Sequence, residues 1–125
     1  MTRIVATVIV LALGCASANE LAQRERESLS HANEIWNQSI GVVDRGVDFW
    51  KKKDGPAPYT PDELVRAVEF LETLTKIRGA NIGRFGVIPD ESLERLSKEW
   101  KDWHRTYGAK LRYDASAKRV IVVEK

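Results

Sequence analysis

Apolar residues recur at helical spacing in three stretches of the chain, separated by segments rich in glycine and proline. The first stretch, residues 20–53, predicts a helix that packs one broad apolar stripe on a core. Gly41 and Gly46 interrupt this stripe, which indicates a kink or a close crossing by another helix. The stripe consists of residues that step by three and four positions: Leu29, Ala32, Trp36, Ile40, Val43, Val47 and Trp50.

A second helix is predicted to begin at Thr60. Thr60 can cap the helix, Pro61 suits the first helical position, and Glu63 completes a capping box. Gly79 is predicted to terminate this helix. Its inner stripe contains Leu64, Val68, Leu71 and Leu74.

A third helix is predicted from Pro89-Asp90-Glu91 to Gly108, after an irregular segment at 79–89. Its apolar seam also steps by three and four residues. The four tryptophans of the chain all lie on helical stripes, which favours core packing over an exposed sugar- or peptide-binding platform. The seam of the third helix contains Leu93, Leu96, Trp100, Trp103 and Tyr107.

A β-hairpin is predicted at about 110–124. Strands at 110–114 and 119–124 flank a four-residue turn, and the β-branched run 120–123 strongly favours a strand. A lone hairpin is marginal in water, so this one is expected to lie on the helices with Leu111 and Tyr113 on one face. The sequence therefore predicts a mainly α fold: a small three-helix domain with a C-terminal two-stranded β-hairpin, in a single domain over 19–125.

The first eighteen residues have the order of an export signal. Arg3 supplies a positive charge, residues 4–13 are apolar or small, and small residues precede a polar continuation at Asn19. An apolar run of about ten residues is roughly 15 Å long as a helix. It is too short to be a permanent membrane span, which needs about 20 residues.

Two cleavage sites compete within this segment. Residues 16–18, Ala-Ser-Ala, form a signal-peptidase site that would leave a soluble periplasmic or secreted protein starting at Asn19. Alternatively, Gly14-Cys15 resembles a bacterial lipoprotein signal, in which cleavage after Gly14 leaves a lipidated Cys15 at the N-terminus. We favour the lipoprotein because Cys15 is the only cysteine and directly follows Gly14. Lipidation would give the protein a membrane anchor.

Charge and cysteine content limit the possible partners. The chain carries 20 basic and 18 acidic side chains, and Arg3 leaves with the export segment. Positive and negative residues alternate as on a solvated helical surface, so we expect no nucleic-acid partner. With one cysteine, no disulfide can form within the chain, and stability must come from packing.

The sequence contains no motif of a catalytic, metal or cofactor site. His31 and His104 are the only histidines and are far apart, with no further ligands at a suitable spacing. His104 falls beside the apolar seam, where it is expected to border the core or face solvent. We therefore expect no enzymatic activity, no metal and no cofactor.

The glycine-rich loop at 79–86 is the best candidate for a ligand site. Its glycines can bring backbone N–H groups close to an anion, and Arg78, Asn81 and Arg84 are the candidate ligand-binding residues. The loop lacks the residues of a phosphate-binding P-loop and the spacing of a dinucleotide fingerprint. A loop that only connects two helices is the simpler interpretation.

Residues 70–114 show a local resemblance to known bacterial segments. After Phe70–Thr75 come Gly83-Arg84-Phe85-Gly86, Trp100-Lys101-Asp102-Trp103 and Leu111-Arg112-Tyr113-Asp114. This order resembles small bacterial exported proteins and the tails of bacterial HEAT-repeat proteins, in which a W-x-x-W helix is followed by L-x-[YW]-D. The resemblance implies a bacterial source and an autonomous module, and it implies no activity.

These observations lead to two expectations about function. The first is a non-enzymatic interaction module of the cell envelope, which binds an envelope protein or a second copy of itself. The alternative is a small periplasmic protein that binds an anionic or glycan ligand through the 79–86 loop.

Overall fold

A computed structural model describes the backbone of residues 2–123 and the side chains of residues 18–123. The chain forms three helices and two hairpins. A short hairpin lies between the second and third helices, and a second hairpin follows the third helix. The predicted mainly α fold with a C-terminal hairpin is confirmed. The elements are α1 (Thr2–Lys52), α2 (Pro61–Thr75), β1 (Ile82–Gly83), β2 (Gly86–Val87), α3 (Glu91–Tyr107), a 3₁₀ turn (Gly108–Lys110), β3 (Leu111–Asp114) and β4 (Arg119–Val122).

The predicted export segment lies almost entirely outside the described side chains. The side chains of residues 1–17, including that of Cys15, are outside the described ones. Residues 18–27 of α1 are exposed, and Ser28 is the first of the described side chains in the helix to be partly buried. Within the described part of the chain, no helix has both the length and the apolar character needed to cross a membrane.

Helix α1 provides the surface on which the other elements pack. It contacts α2, α3 and the C-terminal hairpin. Its inward face carries Ala32, Trp36 and Val43, which are at most 2% exposed. The remaining fully buried apolar residues come from every other major element: Leu64, Val68 and Leu71 from α2, Leu93, Leu96 and Trp100 from α3, and Leu111 from β3.

Gly46 marks the predicted close crossing. A Cβ atom at Gly46 would lie 3.5 Å from the side chain of Leu64 and 3.7 Å from that of Leu93. Both other helices therefore approach α1 at this residue. Gly41 lies in a more open place, where the nearest atom to an added Cβ is Nη1 of Arg45 at 3.8 Å.

Helix α2 begins as predicted and ends earlier than predicted. The backbone N–H of Glu63 donates to Oγ1 of Thr60, and the Glu63 carboxylate accepts from the backbone N–H of Thr60, each at 3.1 Å. The prediction that Gly79 terminates the helix is wrong, because α2 ends at Thr75 and Lys76 adopts a left-handed conformation with φ of 66°. The Thr75 hydroxyl accepts from the N–H of Ile77 and so turns the chain away from the helix.

The segment predicted to be irregular contains a short antiparallel hairpin. Ile82 pairs with Val87, and Gly83 pairs with Gly86. Gly86 has φ of 116°, a conformation that favours glycine, and an added Cβ would lie 2.9 Å from Val65. The glycines that made the segment look irregular thus permit the turn of this hairpin.

Helix α3 is capped and packed as its sequence predicts. Oδ1 of Asp90 accepts from the backbone N–H groups of Ser92 and Leu93. The buried Trp100 donates from its indole nitrogen to the carbonyl of Ile77 at 3.1 Å, which fixes the chain after α2. At Gly108 the α-helix passes into the 3₁₀ turn.

The tryptophans differ in burial. Trp36 and Trp100 belong to the core, at 2% and 0% exposure. Trp103 is half-buried and stacks on Trp36 with 5.6 Å between ring centroids. Trp50 is also half-buried, beside Phe49 and Tyr59 at the far end of α1. Core packing therefore holds in full for Trp36 and Trp100 and in part for Trp103, whereas Trp50 is half-buried outside the core cluster.

The C-terminal hairpin is confirmed over the described residues. Leu111 lies opposite Val122, and Tyr113 lies opposite Val120. These four side chains share one face of the hairpin and pack on the core. Glu124, the last residue of the second predicted strand, lies outside the described residues.

We expect Gly108→Ala to lower the free energy of unfolding by about 1–3 kcal/mol, because the added methyl group overfills a packed site. Its Cβ would lie 2.8 Å from Nε2 of His104. The backbone φ of Gly108 is −57°, which suits alanine, so the loss arises from the contact alone. Urea unfolding measures the change.

The matched control is Gly41→Ala, which places the same methyl group at an open helical position. It should raise the free energy of unfolding by about 0.5–1 kcal/mol. Equal losses for the two variants would contradict the close packing at Gly108.

Candidate functional site

An open groove lies between α2 and β4. Its volume is about 600 Å³, which is typical of a ligand site of roughly 300–1,000 Å³. Its floor is apolar and continuous with the core. The floor consists of Ile35 from α1, Phe70 and Leu74 from α2, and Tyr113, Val120 and Val122 from the hairpin.

A second face of α2 forms one wall of the groove. Arg66, Phe70 and Thr73 step by four and three residues and therefore share this face. The buried stripe of α2 lies on the adjacent face. Helix α2 thus uses one face for the core and presents another to the groove.

The rim of the groove is basic. Arg66 of α2 and Lys76, which directly follows α2, face Lys118 and Arg119 at the turn into β4, and Glu69 is the one acidic side chain among the described residues that line the groove. All five are exposed. The ion pairs described within residues 18–123 use none of the four cations. A local excess of positive charge therefore lies over an apolar floor.

The structure places the three candidate residues of the 79–86 loop in separate surroundings. The Asn81 amide donates to Oδ2 of Asp90 at 3.0 Å. Arg84 lies 5.8 Å from the ring centroid of Phe85, which is 86% exposed at the tip of the β1–β2 hairpin. Arg78 is exposed. The contacts described for this loop do not join the three side chains to one another.

His104 borders the core, as its position on the seam predicts. Its ring stacks on Trp36 with 4.7 Å between centroids, and Nε2 lies 2.6 Å from Oδ1 of Asn33. The Asn33 amide nitrogen donates to the carbonyls of Leu29 and Gly108. This orientation leaves Oδ1 of Asn33 as an acceptor, so Nε2 of His104 carries the proton.

His104 is therefore a structural residue that joins α3 to α1. His31 lies elsewhere, with its ring 4.5 Å from that of Tyr113. Among the described residues, no group of three or more histidine, cysteine or acidic side chains is placed to hold a metal ion.

An ion pair joins the last turn of α1 to the first turn of α3. Lys51, in the last turn of α1, bonds to Glu94 in the first turn of α3, and this bond lowers the pKa of the Glu94 carboxyl below its ordinary value. Further along, Asp44 accepts from the hydroxyl of buried Ser97 at 2.8 Å and pairs with Lys101 at 3.0 Å. These polar contacts fix the helices and lie apart from the groove.

The groove residues carry no motif that sequence reasoning could detect. Arg66 and Lys76 have the pattern of ordinary charges on a predicted helix, Lys118 lies in a predicted turn, and Arg119 begins a predicted strand. One signal was available: Phe70 is a large apolar residue beside the inner stripe of α2, which indicates a second apolar face on that helix.

Comparisons with protein-family models, with curated proteins and with solved structures found no match to this chain.

We expect His104 to make stability depend on pH. Burial lowers the pKa of His104 below its ordinary value of 6.5, so the folded state resists protonation. Its contribution is complete above the unfolded pKa and is lost as pH falls below it towards the folded pKa. Urea unfolding between about pH 7.5 and 5.5 should show this decline.

The variant His104→Gln should flatten the decline, because glutamine does not titrate and retains a donor for Asn33. An unchanged pH dependence in this variant would show that other groups are responsible.

Proposed function

We propose that this chain is an exported module of a bacterial cell envelope that acts by binding a protein partner and catalyses no reaction. The proposal of export rests on the charged start, apolar run and small-residue exit of residues 1–18. Of the two possible products of export, we favour a lipoprotein anchored through Cys15 over a soluble protein that starts at Asn19.

One observation supports the binding role above the others. The α2–β4 groove combines an apolar floor with a basic rim, and it is open to solvent. Open apolar concavities edged by polar residues commonly mark interaction sites in soluble domains. The apolar side chains of the floor can bury apolar groups of a partner, and the cations of the rim can attract its acidic groups.

The course of α1 supports a tethered module. The exposed residues 18–27 lie between the proposed anchor and the packed part of the helix. Ten helical residues span about 15 Å. A lipid anchor at Cys15 would therefore leave space between the membrane surface and the domain, so that a partner protein can reach the groove.

We expect a tryptophan in the groove to prevent partner binding. Thr73 is exposed and lines the groove, so Thr73→Trp places a large side chain in the groove and replaces no buried residue. The exported chain with a C-terminal affinity tag, chemically crosslinked in envelopes of its native host, should recover a partner that Thr73→Trp loses. Quantitative mass spectrometry of the recovered proteins measures the difference.

The matched control is Thr106→Trp, the same substitution at an exposed position of α3 away from the groove. It should recover the partner as the unchanged chain does. No partner with any bait would overturn the proposal, and the same partner with Thr73→Trp would overturn the groove as the binding site. The intact mass of the recovered bait should start at an acylated Cys15, whereas an unmodified chain starting at Asn19 would overturn the anchor and retain export.

A further inference from the structure

The two edges of the C-terminal hairpin can be told apart from its hydrogen-bond pattern. The N–H of Val123 donates to the carbonyl of Lys110 at 2.8 Å, so this opposed pair is hydrogen-bonded. Hydrogen-bonded and non-hydrogen-bonded pairs alternate along an antiparallel ladder. The registered pair Tyr113 and Val120 is therefore non-hydrogen-bonded, and each residue directs its N–H and C=O away from the partner strand. Val122 does the same.

Helix α1 closes the outer edge of β3. The Ser28 hydroxyl accepts from the N–H of Tyr113 at 2.7 Å and donates to the carbonyl of Tyr113 at 3.1 Å. The N–H of Leu111, also directed outward, donates to the carbonyl of Gly108. The main-chain groups on this edge thus have partners within the domain.

The outer edge of β4 is open. Among residues 18–123, no hydrogen bond is described that engages the outward main-chain groups of Val120 or Val122. The groove is lined by the consecutive residues Arg119–Val122. Because neighbouring residues of a strand point to opposite faces, a groove lined by all of them follows the edge of the strand.

This combination of an open strand edge and a facing helix suits an extended peptide. A peptide that pairs with β4 gains main-chain hydrogen bonds from Val120 and Val122, and its alternate side chains reach Phe70 and Leu74 on α2. An acyl chain would cover the apolar floor and leave these main-chain groups without partners. The open edge therefore favours a peptide over a lipid.

The charge of the rim defines the kind of peptide. Among residues 18–123, four cations and one carboxylate surround the groove, which favours an acidic ligand. Two of the cations, Arg66 on α2 and Lys76 directly after it, lie outside the hairpin, so the basic rim is more than a device that protects an edge strand from aggregation. A second copy of the chain is disfavoured, because pairing of two β4 edges would bring two basic rims together.

We propose that the α2–β4 groove binds an acidic, extended segment of a partner protein, which adds to the hairpin as a third strand beside β4. This inference rests on the proposed function and specifies the partner's chemistry. Binding buries alternate apolar side chains of the segment on the groove floor, while its carboxylates lie near the basic rim.

Three synthetic peptides test the inference with the exported full chain, by fluorescence anisotropy. The first has eight residues of alternating glutamate and valine, the second replaces each glutamate by lysine, and the third is the first with alternate backbone nitrogens methylated. We expect the glutamate peptide to bind, and both others to bind at least about tenfold more weakly. Added salt should weaken binding of the glutamate peptide.

A pair of protein variants tests the same edge from the other side. Val122→Pro removes an outward N–H and leaves the bonds between β3 and β4 in place, and proline is tolerated at such an edge position. Val122→Ala removes a similar part of the side chain and keeps the N–H. We expect Val122→Pro to bind the glutamate peptide about tenfold more weakly than Val122→Ala does.

The outcomes separate this inference from the proposed function. If the three peptides bind equally or not at all while Thr73→Trp still loses a cellular partner, the inference is wrong and the proposed function stands. If the glutamate peptide binds as expected and no cellular partner is recovered with any bait, the proposed function fails while the groove's preference for an acidic, extended peptide stands. Displacement of the glutamate peptide by laurate, with no effect of N-methylation, would overturn the inference in favour of an amphiphile. A dimer that Val122→Pro dissociates would overturn it in favour of a second copy of the chain.

Discussion

The packing of one face of α1 is the constraint on which the rest of this structure depends. The chain has a single cysteine, so packing without a disulfide must hold every element in place. Trp36 lies at the centre of this face, where it stacks on His104 and Trp103 of α3. Asn33, one turn earlier, bonds to both His104 and the carbonyl of Gly108. A short stretch of α1 thereby fixes the end of α3 and the start of the chain that leads into the hairpin.

The same constraint explains why the hairpin has one open edge. A two-stranded hairpin has two outer edges, and α1 lies along only one of them. Ser28 satisfies Tyr113 on that side. On the other side α2 forms the opposite wall of a groove, and as a helix it offers no strand to pair with β4. The candidate binding site is thus the place where the helical scaffold stops covering the sheet.

Local features of the fold were predictable because they depend on neighbouring residues. The capping box of α2, the cap at Asp90 and the β-branched second strand of the hairpin all follow from a few adjacent side chains. The end of α2 was mispredicted because the Thr75 hydroxyl and a left-handed lysine terminate the helix before the glycine is reached. The β1–β2 hairpin was missed because its strands are only two residues long.

The candidate site was not predictable in the same way. Its cations lie on α2 and at the start of β4, more than forty residues apart in the sequence, and they meet only because both elements pack on α1. The loop at 79–86 has the glycines and neighbouring arginines of a candidate ligand site, whereas in the structure its Asn81 bonds to Asp90. A sequence motif identifies a site whose residues lie in one segment of the chain, whereas the cations of this groove come from two separate segments.

The most direct test of this account is residue-resolved amide hydrogen exchange of the free protein, measured by NMR. An open β4 edge predicts fast exchange at the amides of Val120 and Val122, whose N–H groups point away from β3. The amide of Val123 donates to the carbonyl of Lys110, and Ile121 lies opposite Arg112 in a hydrogen-bonded pair, so both amides should be protected. Equal protection at all four residues would show that the edge is already covered and would contradict the account.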